Sequence, residues 1–398
     1  MSNIDTLKKH LLMAQSGALF EDPREKANQL FSTASTYESS TQKQTYIENL
    51  YITLRSNASI LARIQNQETS KPTVEIMDEI VQTIDFLKCL SIEDSPKEIS
   101  NILVISHFTS PIMTSIVAIA YSIVTSSKVL IRPSTKASKT LSKLYSILPK
   151  NDHWDMVFCE QEAVDAYLIK DQRFSKIYID TYENIFKKIE EKSSGLQVVG
   201  HIYSDEVLVI DSNSDLEKVI AAYINQFFLF NIRYGIRLNK ILVEESEFTR
   251  VDELLRGQLT EQLNLKFDQE LEESFSRNTP KYKLEKIKAY LLDAIAEGAE
   301  ISFGSITDKI DSPTLLTKVK TTMNIFSLSY WEPIIQLIPI RKNDFPSVVR
   351  SLDPNTIYVG TTHSIEWMKE KYKDAKTSTI LGINTTPLEI WDTLLKRP

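Results

Sequence analysis

The order of apolar segments predicts an α/β protein with two domains: N-terminal helices leading into a doubly wound parallel-sheet domain of the cofactor-binding type (residues 1–206), then a second α/β domain (207–398). Three observations predict it. Residues 1–91 carry apolar positions at helical spacing with no strand-like run. From Asn101 onward, short β-branched runs alternate with helical stretches. After one helical interval the same alternation resumes near Glu300.

The first stretch contains helical patterns at Ala27–Phe31, Thr41–Arg55, Ser59–Gln67 and Thr73–Leu90, the last opened by Pro72. Cys89, near the end of that helix, reads as a buried structural thiol. A polar link, 92–100, follows. NILVISHF is then a buried strand, Pro111–Ile123 a helix, Lys128–Arg132 a strand and Thr135–Leu148 a helix. Strands at Met156–Cys159 and Lys176–Ile179 flank a helix at Gln161–Lys170. This βαβα order demands right-handed crossovers and hence a parallel, Rossmann-like sheet covered on both faces.

In the second part, Val207–Asp211 is a strand and Asp215 an N-cap. The helix it opens carries Leu216, Val219, Ile220, Tyr223 and Ile224 on one stripe. Ile241–Val243 is the next strand. Two helical stretches fill 246–299, and strands return at ISFG, TLLTKV, PIIQLIPI, TIYVG and TSTILGIN, with helices at Asp344–Leu352 and Ser364–Tyr372.

Composition narrows the function. A net charge of −7 argues against a nucleic-acid footprint. No apolar run reaches the roughly 20 residues of a membrane span, and the start, MSNIDTLKKHLLMAQSG, lacks the apolar core of a signal peptide. Two cysteines, Cys89 and Cys159, fit a reducing compartment, so the chain reads as cytoplasmic. Cys159 lies beside Glu160 and Glu162, which raise a thiol pKa, and reads as structural. The five histidines (His10, His107, His153, His201, His363) lack metal-type spacing, so no metal site is expected. KKIEEK at 187–192 reads as a solvated helix face. Nine glycines in 398 residues is far below the roughly 7% average, and neither GxGxxG nor GxxxxGK[ST] occurs.

Several segments, taken in order over residues 25–388, resemble the aldehyde dehydrogenase superfamily. ETSKPTVEIMDEIVQTIDFL is similar to that family's E-T-G-K-P helix, and VLIRPST to its strand ending in K-P-S-E. EGAEISFGSITDKIDSPTLLTKV, YWEPIIQLIPI and TSTILGINTTP resemble its E-G-A…P-T-[VI]-L, its I-F-G-P-V and its closing G-x-[VI]-x-[VI]-N segments. The resemblance implies an aldehyde-dehydrogenase-like fold, a doubly wound cofactor-type domain with a second, catalytic-type α/β domain.

The family's working residues do not carry over. Its nucleophilic cysteine falls at Gly235 or Ile236, and its general-base glutamate near His201. Its oxyanion-stabilising asparagine falls at Thr109, with Pro111 retained. The ribose-binding Lys and Glu of K-P-S-E become Arg132 and Thr135, while Pro133 and Ser134 remain. The turn F-T-G-S-x-x-x-G, which meets the pyrophosphate, becomes Ile179-Asp180-Thr181-Tyr182…Phe186, with both glycines replaced. The glutamate of E-x-F-G-P becomes Ser329, beside Trp331 and Pro333.

Scaffold without chemistry is the pattern of a pseudoenzyme. The expectation is a catalytically inactive member of the superfamily that binds a protein partner as a scaffold or regulator, with no catalytic residue and no cofactor. The alternative is a divergent NAD(P)-dependent oxidoreductase acting on an aldehyde or acyl substrate. It would hold the nucleotide through Arg132 and Ser134 and use His201 as acid or base, with NAD or NADP as cofactor. A third reading is a ligand sensor without turnover. Arg233 and Arg237 flank Tyr234 in the former nucleophile loop, open to an anionic ligand or a structural ion pair. The short 92–100 link and the early C-terminus argue against the family's dimers and tetramers.

Overall fold

The computed structural model describes residues 21–33, 39–90, 100–193, 195–200, 202–203, 205–229, 237–266, 281–305, 313–328, 333–352, 356–359 and 379–382. The calls on 92–99, His201, Arg233–Ile236, Ser329–Trp331 and the helix at 364–372 lie outside these residues. The chain passes from one compact unit to a second between Ile202 and Tyr203.

The first unit opens with α1 (Pro23–Ser32), whose Asp22 side chain caps the Arg24 amide at 2.9 Å, with Pro23 in the first turn. Helix α2 (Ser40–Thr69) begins on a Ser39/Gln42 capping box and ends at Ser70, in the left-handed region with φ 55°. The two helices expected between Thr41 and Gln67 are one, because the Ser-Asn-Ala between Arg55 and Ser59 holds no helix-breaking Gly or Pro. After the turn at Ser70–Pro72, α3 (Thr73–Cys89) packs back on α2. Its buried stripe runs through Ile76, Ile80, Thr83, Ile84 and Leu87. Cys89 lies beyond that stripe and is exposed, which corrects the expectation of a buried thiol.

The strands β1 (Ile102–Ile105), β2 (Val129–Arg132), β3 (Trp154–Met156), β4 (Lys176–Ile179) and β6 (Gln197–Val199) form a parallel sheet in the order β3-β2-β1-β4-β6. The short β5 (Thr181–Tyr182) follows β4 directly. Side-chain alternation sends Ile102, Val104, Val129 and Ile131 to one face, under α2, α3, α4 (Pro111–Thr125) and α5 (Ser138–Ile147). Leu103, Ile105, Leu130 and Ile177 face α1, α6 (Gln161–Ala166) and α7 (Glu183–Lys192). Helix α4 is buried along its whole length and carries no charge. Three of its hydroxyls are spent on its own carbonyls, Ser115 to Pro111, Ser122 to Ile119 and Thr125 to Tyr121, each at 2.7 Å.

Two boundaries move by a few residues. Thr135–Ala137 is a separate 3-10 turn before α5, and α6 stops at Ala166 before another 3-10 turn at Leu168–Lys170. Strand β3 ends at Met156, earlier than its apolar run, although the Val157 amide still donates to Ile131.

In the second unit, β10 (Glu300–Phe303), β11 (Thr314–Thr317), β12 (Ile334–Ile340), β9 (Arg237–Glu244), β8 (Asp205–Ile210), β13 (Thr356–Val359) and β14 (Thr379–Gly382) lie side by side in that order. All neighbours are parallel except β10, which pairs antiparallel with β11. The two-residue β7 (Ile202–Tyr203) sits where the chain leaves the first unit. One face packs on α8 (Leu216–Leu229) and α9 (Phe248–Lys266) through Leu208, Ile241 and Leu337. The other packs on α10 (Lys281–Ala296) and α11 (Phe345–Leu352) through Val209, Leu242 and Ile338. Gly304 has φ +79°, and a Cβ there would lie 2.4 Å from the Pro313 carbonyl, so only glycine fits the turn after β10. Among the described residues no helix is long and apolar enough to cross a membrane.

Candidate functional site

In open parallel sheets ligands bind beyond the carboxyl ends of the strands. In the first unit that edge is built from the residues after β1, β2, β3 and β4, which bring Thr109, Arg132, Ser134, Cys159 and Asp180 to one rim.

After β1 the chain turns through Ser106–Ser110 into α4. Ser110 makes no side-chain cap. The cap comes instead from α3: Glu79 Oε1 accepts the amides of Ile112 and Met113, each at 3.1 Å. A carboxylate here satisfies two of the helix's first amides and meets the positive end of its dipole. Glu79 Oε2 pairs with Lys71 Nζ at 2.5 Å, and Lys71 also donates to the Thr109 carbonyl at 2.9 Å. Glu79 is 0% and Lys71 1% exposed, so this pair is part of the core. Glu68, in the same E-T-S-K-P stretch, accepts the amides of Lys139 and Thr140 and caps α5. The motif thus ties two helix starts and one strand-end turn together. Thr109, at the family's asparagine position, is buried, with its hydroxyl 3.1 Å from His107 Nδ1.

After β4, the Asp180 carboxylate is turned inward. Oδ1 accepts the Tyr178 hydroxyl at 2.6 Å and Oδ2 the Thr114 hydroxyl at 3.1 Å. Gly200 crosses this strand end so closely that a Cβ would lie 1.8 Å from the Ile179 carbonyl oxygen. Thr181 is buried and Phe186 is partly buried against the core below.

Arg132 ends β2 and is 6% exposed. Its Nε and Nη2 donate to the Cys159 carbonyl at 3.3 and 3.2 Å. Burial pulls its pKa below the ordinary guanidinium value, against the opposing pull of Cys159, Glu160 and Asp165. The guanidinium stays charged. Burial pushes the Cys159 thiol up, despite Arg132 beside it, so the thiol is protonated at neutral pH, as its structural reading requires. Ser134 accepts the Lys136 amide at 3.3 Å and caps the 3-10 turn. Arg132 and Ser134 therefore share the rim, but each is committed to a protein partner.

For a dinucleotide pyrophosphate this rim is a poor fit. The phosphates need free backbone amides and close approach. The glycine positions are Thr181 and Phe186, and a buried carboxylate, Asp180, stands at the strand end. Among the described residues no cluster of three or more His, Cys, Asp or Glu could hold a metal ion. Sequence reading passed over Lys71 and Glu79, and placed Asp180 in the pyrophosphate turn without its inward partners Tyr178 and Thr114. One signal was present: Glu79 falls within the apolar stripe of α3, where an unpaired charge is not tolerated.

The match to known proteins agrees with the architecture. The chain matches the aldehyde dehydrogenase family model over residues 16–350. It is similar in structure to a glyceraldehyde-3-phosphate dehydrogenase from Methanocaldococcus jannaschii complexed with NADP. There the TM-score is 0.75 and identity 16%, covering 92% of this chain and 87% of the other. An NADP-dependent glyceraldehyde-3-phosphate dehydrogenase from Bacillus halodurans, complexed with NADP, gives 0.73, 15%, 88% and 79%. An NAD-dependent benzaldehyde dehydrogenase from Corynebacterium glutamicum gives 0.72, 14%, 90% and 85%. Comparison with curated protein sequences gave no match. With the family match spanning most of its length, the chain belongs to the aldehyde dehydrogenase family.

Proposed function

We propose that this is a non-catalytic family member, a pseudoenzyme that acts through a protein partner as a scaffold or regulator. One observation carries the reading. Both cysteines, Cys89 and Cys159, belong to the first unit, and the whole of Tyr203–Thr386 contains none. Thiohemiacetal chemistry needs a thiolate in the second unit, at the loop where this chain has Gly235 and Ile236. The inward Asp180 carboxylate and the committed Arg132 support the same reading from the cofactor side.

A second reading is a divergent NAD(P)-dependent oxidoreductase. It is favoured by the NADP complexes among the structural relatives and by a cation, Arg132, at the end of β2. On this reading Arg132 leaves the Cys159 carbonyl for the nucleotide, and His201 serves as acid or base.

Incubating the purified protein with aldehydes and either NAD or NADP separates the two. The first reading expects no reduced nicotinamide above a protein-free control. Turnover that His201→Ala abolishes would establish the second and overturn the first.

A further inference from the structure

The connection from α6 to β4 feeds the sheet at the amino ends of its strands, the edge opposite the rim described above. Between this connection and α1 lies a cavity of about 290 Å³. Arg24 and Asn28 line it from α1, and Tyr167, Leu168, Asp171 and Arg173 from the connection.

Two of its charged groups are closed on each other. Arg173 Nε and Nη2 donate to the Asp171 carboxylate at 2.9 and 2.5 Å, and Nη1 donates to Asn28 Oδ1 at 2.9 Å. The same guanidinium lies 4.8 Å over the Phe31 ring, so the Arg173–Asp171 pair is held in place.

Two other groups are open. Arg24 Cζ lies 3.5 Å from the Tyr167 ring centroid, the separation of a guanidinium laid on the ring face. Such a stack uses the guanidinium's face and none of its N–H groups. Among the described residues no acceptor meets those N–H groups, and Arg24 has no carboxylate within ion-pair distance. Asn28 gives its oxygen to Arg173, which leaves the Nδ2 donors without an acceptor among the described residues. Arg24 and Asn28 are one turn apart on α1, so the two sets of donors stand on the same helix face.

We propose that this cavity binds the carboxylate of a small, singly charged organic acid. The edge of the stacked Arg24 guanidinium offers two parallel N–H groups to the two carboxylate oxygens. Asn28 Nδ2 supplies a further donor. Arg24 and Arg173 set against Asp171 leave one net positive charge in the lining, which matches a monoanion. A dianion would bring its second charge toward the Asp171 carboxylate. Leu168, buried beneath, gives the acid's hydrocarbon part an apolar wall. The volume is at the small end for ligand pockets and suits a chain of a few carbons.

The test follows the guanidinium Nε–H resonances of the full chain, isotope-labelled at arginine, during titration with butyrate, inorganic phosphate or butylamine. The Arg24 signal is assigned by its loss in Arg24→Lys. Butyrate is expected to shift that signal saturably with a Kd below about 10 mM. Butylamine should leave it in place, and phosphate should bind at least about tenfold more weakly than butyrate. Arg24→Lys keeps the charge but loses the flat fork. It should weaken butyrate binding at least about tenfold, read by saturation transfer from protein to butyrate. No saturable shift of the Arg24 signal by butyrate would overturn the proposal. So would phosphate binding as tight as that of butyrate, or unchanged butyrate binding in Arg24→Lys. The cavity shares no residue with Arg132, Ser134 or Asp180, so the outcome is independent of dinucleotide binding.

Discussion

The two units hold their sheets by different means. In the first, charged side chains are buried along the sheet and its rim: Lys71, Glu79, Lys128, Arg132, Lys176 and Asp180. In the second, both sheet faces are mainly apolar, with Leu208, Ile241, Ile335 and Leu337 on one and Val209, Leu242, Ile334 and Ile338 on the other. The buried Lys240 and Gln336 side chains there donate to the backbone carbonyls of Leu328 and Ile325. Apolar burial is non-directional and tolerates repacking. Buried ion pairs are directional and costly to break. The first unit thus ties much of its rim into an internal lattice, in which Lys71, Glu79, Arg132 and Asp180 are each bonded to another protein group.

The largest expected effect comes from breaking that lattice at its centre. Glu79→Ala leaves Lys71 buried without its partner and uncaps α4, and should cost about 3–5 kcal/mol. Hydrogen exchange at the amides of Ile112 and Met113 should rise with it. A loss below about 1 kcal/mol would remove the distinction between the units. Replacing both partners with apolar side chains, Lys71→Met with Glu79→Leu, should recover the part of the loss due to the stranded charge, while α4 stays uncapped.

In the second unit, Leu337→Ala should cost about 2–5 kcal/mol through cavity and transfer terms alone. Tyr178→Phe removes one donor to Asp180 while keeping the ring, and should cost about 1.5–3 kcal/mol. Both are read from denaturant unfolding, fitted with a separate transition for each unit.

The smallest effect is on the surface. Burial raises the Asp171 carboxyl, but its bonds to Arg173 outweigh this and hold it below the ordinary carboxylate range. Its contribution is therefore complete above the unfolded-state pKa and is lost as pH falls through the lower folded value. Arg173→Ala should flatten this acid limb and cost less than about 1 kcal/mol, since Arg173 is largely exposed.

Much of the fold was legible because its signals are local. The βαβα order, the fully apolar α4 and the Asp215-led helix follow from periodicity and capping chemistry within a few residues. The rim was legible only by residue position. That Arg132 ends β2 could be read from VLIR; that its guanidinium turns to the Cys159 carbonyl depends on a contact 27 positions away. Lys71 and Glu79 are close in sequence, but their targets, Thr109 and the start of α4, lie more than 30 positions on. Cys89 was misjudged because thiols are usually buried, whereas its own helix places it past the buried stripe.

With Asp180 turned inward at the end of β4 and Arg132 bonded to the Cys159 carbonyl, the first unit's rim is expected to be closed to a dinucleotide. Calorimetric titration of the purified protein with NADP tests it most directly. The account predicts no saturable heat at concentrations that would reveal a Kd of about 1 mM. Saturable binding with a Kd near about 1 μM, lost in Arg132→Ala, would contradict it and place Arg132 on the nucleotide instead of the Cys159 carbonyl.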